Sequence, residues 1–446
     1  MHPGTAPPER KGENRFCQTI CIEQTIIKKN LTGGKQMIAK KTRDMLPAKF
    51  EQLINESIWD GFGETITGAE YKARTEKVKG KIEEEGWDAM LVFGDCYRMS
   101  NIRWLVNYRT IDGVYPQPEI VFLAPGADPV FFLPDSQIRS AHEESAMKYM
   151  GDDIREIRGE LSRFLADYNA KKPLKKVALC GYTYCDLEIW DEIKKGIPDA
   201  DIKQSQMIEY YKSIKTEKEL RTMRRAGRVA DIGAQMLYDV MEDGITEKEA
   251  QSLVYAAMFA SGAHSIAFDI MVQTADNLLS LFKRPTDTKI TRGNIVMMDH
   301  GCRINDYCSD SARTYVFGDV QKEKVELLEK LNRVFETGLE QICAGMTGRE
   351  ADAVIRAAAD KEGITQFIVS PSEGRLGPHG TGMDPEEAMP IIGPDSDDVL
   401  VEGQTFAYEL SAIDENLTGV RTEDPIVVHK DGMEPLTNFP RFSYKP

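Results

Sequence analysis

The chain has 446 residues, of which 41% are hydrophobic, and a formal net charge of −16. That length favours two domains, and the hydrophobic share is enough for ordinary globular cores. The acidic balance argues against a nucleic-acid or anionic-membrane binder, which carries a basic face, and no apolar run approaches the roughly eighteen residues of a membrane span.

Residues 1–65 read as an N-terminal leader or extension. Its opening, MHPGTAPPERKGENRF, is polar and lacks the apolar stretch of a secretory signal. The first 40 or so residues read as partly disordered, or as an extended start upstream of Met37 or Met45. The eight cysteines, scattered over a long chain, read as reduced cytoplasmic thiols and not as a disulfide framework. Cys17 and Cys21 form a lone CxxxC without a second Cys or His pair, which reads as incidental.

Residues 66–213 alternate helices and apolar strands. A charged helix over 72–85 ends near Gly86, and a strand follows at 89–93. Strands at 120–123 and 130–133 close a hairpin across Pro-Gly-Ala-Asp, and a charged helix precedes a strand at 177–179. The pattern predicts an α/β domain with a mixed sheet and no recognisable catalytic motif. The boundary falls near 211–217, where Thr216 and Glu219 form a capping-box signature.

Residues 214–446 predict a second domain with an internal repeat. GITEKEA, beginning at Gly244, opens an apolar helical run ending at Gly262. GMTGREA, beginning at Gly345, opens a similar run ending at Gly363, at the same interval. Each copy follows a long helical pattern, at 218–242 and 322–343, and each is followed by an acidic hairpin. In the first hairpin Asp299 and Asp310 flank a turn around Ile304 and Asn305; in the second, Glu409 and Glu423 flank a turn around Asn416. If each closes about its midpoint, 299 faces 310 and 409 faces 423, about 4.5–5.5 Å apart on one face. Buried like charges that close need a cation or a shared proton. With the histidine of GPHGTG between the hairpins, the arrangement predicts a metal site in a pseudo-twofold domain.

Together, EKELRTMRRAGRVAD, GITEKEA, MMDHGCRINDYCSDSARTY, GPHGTG and GVRTEDPIVVHKDGMEPLTNFPR resemble the methionine aminopeptidase, prolidase, aminopeptidase P and creatinase superfamily. The resemblance spans roughly 66–446 and is strongest in the second domain. It implies an α/β fold, with a creatinase-like N-terminal domain and a pita-bread C-terminal catalytic domain. It also implies that Asp299, Asp310, His379, Glu409 and Glu423 hold two divalent ions, and this donor set suits Mn, Fe, Co or Zn. Paired metals lower the pKa of a bridging water and polarise a carbonyl. Glu409 is then a bridging ligand and proton shuttle. Arg421, two residues before Glu423, either orients a ligand or the substrate or is a surface charge. The implied protein is a cytoplasmic homodimer that hydrolyses an Xaa-Pro-like dipeptide or another small amide.

The chain also departs from the family pattern. Peptidase members carry two further substrate-site histidines; here Leu281 or Phe282 stands at one position and Glu386 at the other. The departure opens a second expectation, a lyase of the dimethylsulfoniopropionate-cleaving type or a creatinase- or ectoine-hydrolase-like enzyme, with Asp384 or Glu386 as base. A capping role for Asp384 before Pro385 is the structural alternative, and Glu387 lies behind both acids. A third expectation, a binding protein that has lost catalysis, fits poorly with five intact ligands. His264 reads as a buried structural histidine more readily than as a pocket residue. His300, next to Asp299, should point to the opposite face of its strand.

Overall fold

The computed structural model describes residues 40–56, 66–111, 115–280, 282–369 and 377–446. The leader up to residue 39, with Cys17, Cys21 and Met37, lies outside the described residues, as does Leu281. Met45 falls on the helix Lys40–Asn55, and the partly buried Met45, Leu46 and Phe50 of that helix pack against a core of the C-terminal half.

Runs of β-branched and aromatic residues bounded by turns build the N-terminal sheet. Its strands are β1–β6 (Ala89–Gly94, Glu119–Leu123, Val130–Leu133, Asp153–Glu156, Lys176–Cys180 and Asp201–Gln204), in the order β4-β3-β2-β1-β5-β6. The sheet is mixed: β1–β2 and β2–β3 are antiparallel, and the other neighbours are parallel. Strand alternation divides β1 between two cores, Met90 and Val92 on one face and Ala89, Leu91 and Phe93 on the other. A sheet buried on both faces explains why these strands are continuously apolar.

The first of those cores runs on into the C-terminal half through Met223, Tyr307, Met383 and Leu436. Ion pairs reinforce the contact, Arg74 to Glu219 at 2.9 Å and Arg103 to Asp306 at 2.6 Å. The N-terminal half is thereby held against the long helix Glu217–Val240 and against the tip of the first acidic hairpin.

The C-terminal half is built from the repeat. Helices Glu217–Val240 and Glu247–Ala260 form one pair; Lys322–Gln341 and Gly348–Glu362 form the other. Gly244 and Gly345 take nearly the same left-handed conformation, φ 95° and 96°, just before Thr246 and Thr347 cap the second helix of each pair. Each pair packs over its own core. Beneath them lies a nine-stranded sheet whose main path is β14-β13-β15-β16-β12-β9-β8, with β17 on β16 and β18 on β12. These strands are β8 (Met271–Thr274), β9 (Asn294–His300), β12 (Ser311–Phe317), β13 (His379–Gly380), β14 (Glu387–Ile391), β15 (Thr405–Asp414), β16 (Thr418–Val428), β17 (Met433–Pro435) and β18 (Phe442–Lys445). A small sheet, β11-β10-β7 (Tyr307–Cys308, Cys302–Ile304 and Ser265–Ile266), extends the first acidic hairpin.

Candidate metal centre

The second acidic hairpin closes about Asn416, and Glu409 lies directly opposite Glu423. The first does not close about Ile304 and Asn305. Its turn is Asn305-Asp306, both residues in the left-handed region with φ 46° and 65°, as a tight two-residue hairpin turn requires. Asp299 therefore faces Ala312, and not Asp310, which lies just outside β12.

The corrected register produces a row across four strands. Ala312 pairs with Asp299 on one side and with Glu423 on the other, and Glu423 pairs with Glu409. A methyl group thus stands between the carboxylates of Glu423 and Asp299. Asp310 shares the parity of Ala312 and sits one step beyond it. His379 enters from β13, paired with Ala407 of β15. Five neighbouring strands or strand ends each contribute one donor residue.

The imidazole Nε2 of His379 lies 4.0 Å from an Asp310 oxygen, 3.8 Å from Glu409 and 3.7 Å from Glu423. Its Nδ1 is 3.3 Å from Gly380 O, and donation there leaves the Nε2 lone pair facing the acids. The four carboxylate residues are all at least 96% buried. Burial first, and then the neighbouring negative charges, push Asp310 and Glu423 well above the usual carboxylate range. Burial also raises Asp299, against the pull of Arg421.

Arg421 is 1% exposed, so it is not a surface charge. It donates from Nη1 to Asp299 and from Nε to Ser411 Oγ at 3.1 Å, with Glu409 Oε1 3.2 Å from the same nitrogen. One guanidinium does not neutralise four carboxylates. Asp299 Oδ1 and Glu423 Oε2 remain buried without a hydrogen-bond partner. Oxygens that lack donors, beside one imidazole, are the environment a divalent cation satisfies. Asp310, His379 and Glu423 offer ligand atoms within 4.8 Å of one another.

These donors face a cavity of about 400 Å³ walled by Phe268, Met271, Phe282, Pro385 and Glu386, with Asp269 and Arg284 at its edge. Phe282 also lies under the Arg421 guanidinium, 5.0 Å from ring centre to Cζ. Asp384 does not line this cavity; it lies 3.9 Å from Arg303 and lines a neighbouring cleft. Glu387 is buried and held by Lys215 at 3.0 Å, so it is no free base. His264 is exposed, not buried, and its Nδ1 accepts from Asn305 N at 3.2 Å. His300 turns to the other face, where its Nε2 meets Ala230 O at 2.9 Å.

Sequence reasoning missed two buried charge networks. Arg313 donates to Glu423 O at 2.7 Å and to Asp424 at 2.7 Å, tying β12 to β16 behind the acidic row. Lys212 and Lys215 both reach Glu387, at 3.4 and 3.0 Å, and Lys215 also donates to Thr381 O at 3.0 Å. The legible signal for the first was an arginine inside the apolar strand SARTYVF.

Fold and site define a class, an α/β protein built around a carboxylate-rich cation centre. Two family models match it: the creatinase/prolidase N-terminal domain over residues 74–209, and metallopeptidase family M24 over residues 221–430. The chain belongs to the M24 superfamily in its two-domain pita-bread form, and is a metal-dependent hydrolase. Divalent metal is the cofactor that membership implies, and the donors present fit it. The Xaa-Pro dipeptidase of Lactobacillus delbrueckii subsp. lactis is 27% identical over 374 residues, 81% of this chain and 96% of the relative. That of Pyrococcus furiosus is 25% identical over 371 residues, 83% and 99% of the two chains. The solved dipeptidase PepE of Mycobacterium ulcerans matches at a TM-score of 0.76 and 21% identity, covering 86% of this chain and all of its own; it speaks to the fold. Among the described residues no helix is long and apolar enough to cross a membrane.

Proposed function

We propose that the chain hydrolyses the amide bond of an Xaa-Pro-like dipeptide or similar small amide, with Asp299, Asp310, His379, Glu409 and Glu423 holding two divalent ions. The observation that carries this reading is the buried acidic row with donorless oxygens beside His379. The Xaa-Pro dipeptidases among the relatives support the substrate class. Divalent ions held there would activate water and polarise the carbonyl.

The chain's own residues divide the remaining work. Glu409, held by Ser411 at 3.2 Å, takes up and passes on the proton of the attacking water. Glu386, on the cavity wall, relays that same proton from Glu409 to the leaving nitrogen in place of an imidazole. Arg421 orients Asp299 and Glu409. Phe268, Met271 and Phe282 present an apolar wall to a proline-like ring and exclude water from it. In the same proposal, residues 66–213 and 214–446 are the two domains, manganese is among the candidate ions, and the protein is a cytoplasmic homodimer.

A second reading rests on Phe282 and Glu386, because no imidazole besides His379 faces the cavity among its described lining residues. In that reading Glu386, the one of the two candidate acids that lines the cavity, abstracts a proton from a small zwitterionic carboxylate, as in a lyase, or assists hydrolysis of a non-peptide C–N bond. Turnover of an Xaa-Pro dipeptide panel by protein reloaded separately with Mn, Co, Fe and Zn separates the two. Cleavage is the expected result. A fully metallated protein that cleaves none of the panel would move the assignment to the second reading.

A further inference from the structure

A second cleft, of about 520 Å³, opens between the two halves of the molecule and shares His379 and Glu386 with the metal cavity. The N-terminal half contributes Asn101 and Tyr184, and the connecting helix Met207–Ser213 contributes Glu209 and Lys212. Asn101 and Glu209 are 1% and 9% exposed. The Asn101 amide donates to Glu209 Oε1 at 2.9 Å and to Tyr184 Oη at 3.2 Å, which commits its nitrogen. The acceptors are left over: Asn101 Oδ1 and Glu209 Oε2 are buried with no hydrogen-bond partner. A buried acceptor without a donor is costly, more so when charged, so a native site that keeps one on each of two hydrogen-bonded neighbours calls for a donor.

Charge decides what kind of donor. Glu209, Asp384, Glu386 and Glu387 line the cleft; Lys212 and Lys215 already hold Glu387 and Arg303 lies 3.9 Å from Asp384, which leaves the charges of Glu209 and Glu386. The Lys212 ammonium is already engaged by Ser100 Oγ and Glu387. A group with several N–H donors, no acceptor and a positive charge fits this lining, as an ammonium or guanidinium does.

We propose that this cleft is a cation subsite, where Asn101 and Glu209 receive the ammonium or guanidinium of a substrate whose scissile amide lies at the metal cavity. The inference rests on the hydrolase reading and narrows it to substrates such as lysyl- or arginyl-proline.

The test compares lysyl-proline with its uncharged analogue norleucyl-proline in the wild type and in Glu209→Gln. Wild type should favour lysyl-proline in kcat/KM by about tenfold or more, the worth of one charge-assisted hydrogen bond, and the variant should bring the ratio near one. No preference in the wild type, or a preference that survives the substitution, would overturn the proposal. If neither peptide is cleaved, the hydrolase reading fails, and binding of n-pentylammonium against 1-pentanol by calorimetry judges the cleft alone. Selective binding of the ammonium, weakened in Glu209→Gln, upholds the subsite; no binding by the wild type refutes it. Asn101→Leu, which removes the other acceptor, replaces Glu209→Gln in both assays if that variant does not fold.

Discussion

At the scale of single residues, the small side chain of Ala312 matters as much as the acids around it. It stands in the cross-strand row between Glu423 and Asp299, and it is fully buried. A larger side chain there would occupy the space between the two carboxylates. Ala312→Leu should therefore lose metal while keeping its secondary structure, with an overpacking cost of about 1–3 kcal/mol. Metal analysis beside far-ultraviolet circular dichroism checks this, and full metal content in the variant would show that the row does not frame the site. Arg421 acts at the same scale. Its contacts with Asp299 and Glu409 hold two acids in place but cannot neutralise four.

At the scale of elements, glycines separate packing from propensity. Gly80 sits inside the helix Gly68–Glu84 with nothing near its added Cβ, whereas a Cβ on Gly227 would lie 2.1 Å from the carbonyl oxygen of Leu436. Gly80→Ala should stabilise by up to about 1 kcal/mol through helix propensity. Gly227→Ala should destabilise, because a backbone carbonyl cannot swing aside. Urea unfolding reads both, and equal effects would contradict this packing. The helices were legible because Thr216 and Thr246 cap them in the sequence itself, with Glu219 and Glu249 returning the bond. The second hairpin was legible because its turn is centred as its acids are. The first was misread by one residue at the turn, which moved the partner of Asp299 from Asp310 to Ala312; Asn305 and Asp306 tolerate left-handed backbone, and only the folded turn selects that pair. The resemblance implied Asp299, Asp310, His379, Glu409 and Glu423 as a set, and the fold brings all five to one cavity. The cleft was not legible, since Asn101, Glu209 and His379 meet only when the halves dock.

At the scale of the whole molecule, stability should carry a pH dependence that originates far from the metal centre. Glu119, fully buried in the N-terminal sheet, accepts from Thr110 N at 3.0 Å, and its Oε2 has no partner. Burial pushes its carboxyl up from 4.5 to about 8. A raised folded value means that the unfolded chain gives up the proton first. The contribution of Glu119 is thus complete below pH 4.5 and is lost as pH rises through about 8. Glu119→Gln should remove this loss, so the stability difference between variant and wild type should grow in the variant's favour across that window. Denaturant midpoints that shift in parallel at every pH would contradict it. In the function proposed above, five residues from neighbouring strands hold two divalent ions. The most direct test is metal stoichiometry by mass spectrometry on protein stripped with chelator and reloaded with manganese or cobalt, wild type beside Glu409→Gln. Two equivalents are expected in the wild type and fewer in the variant; a wild type that retains none, or a variant that retains both, would rule the site out.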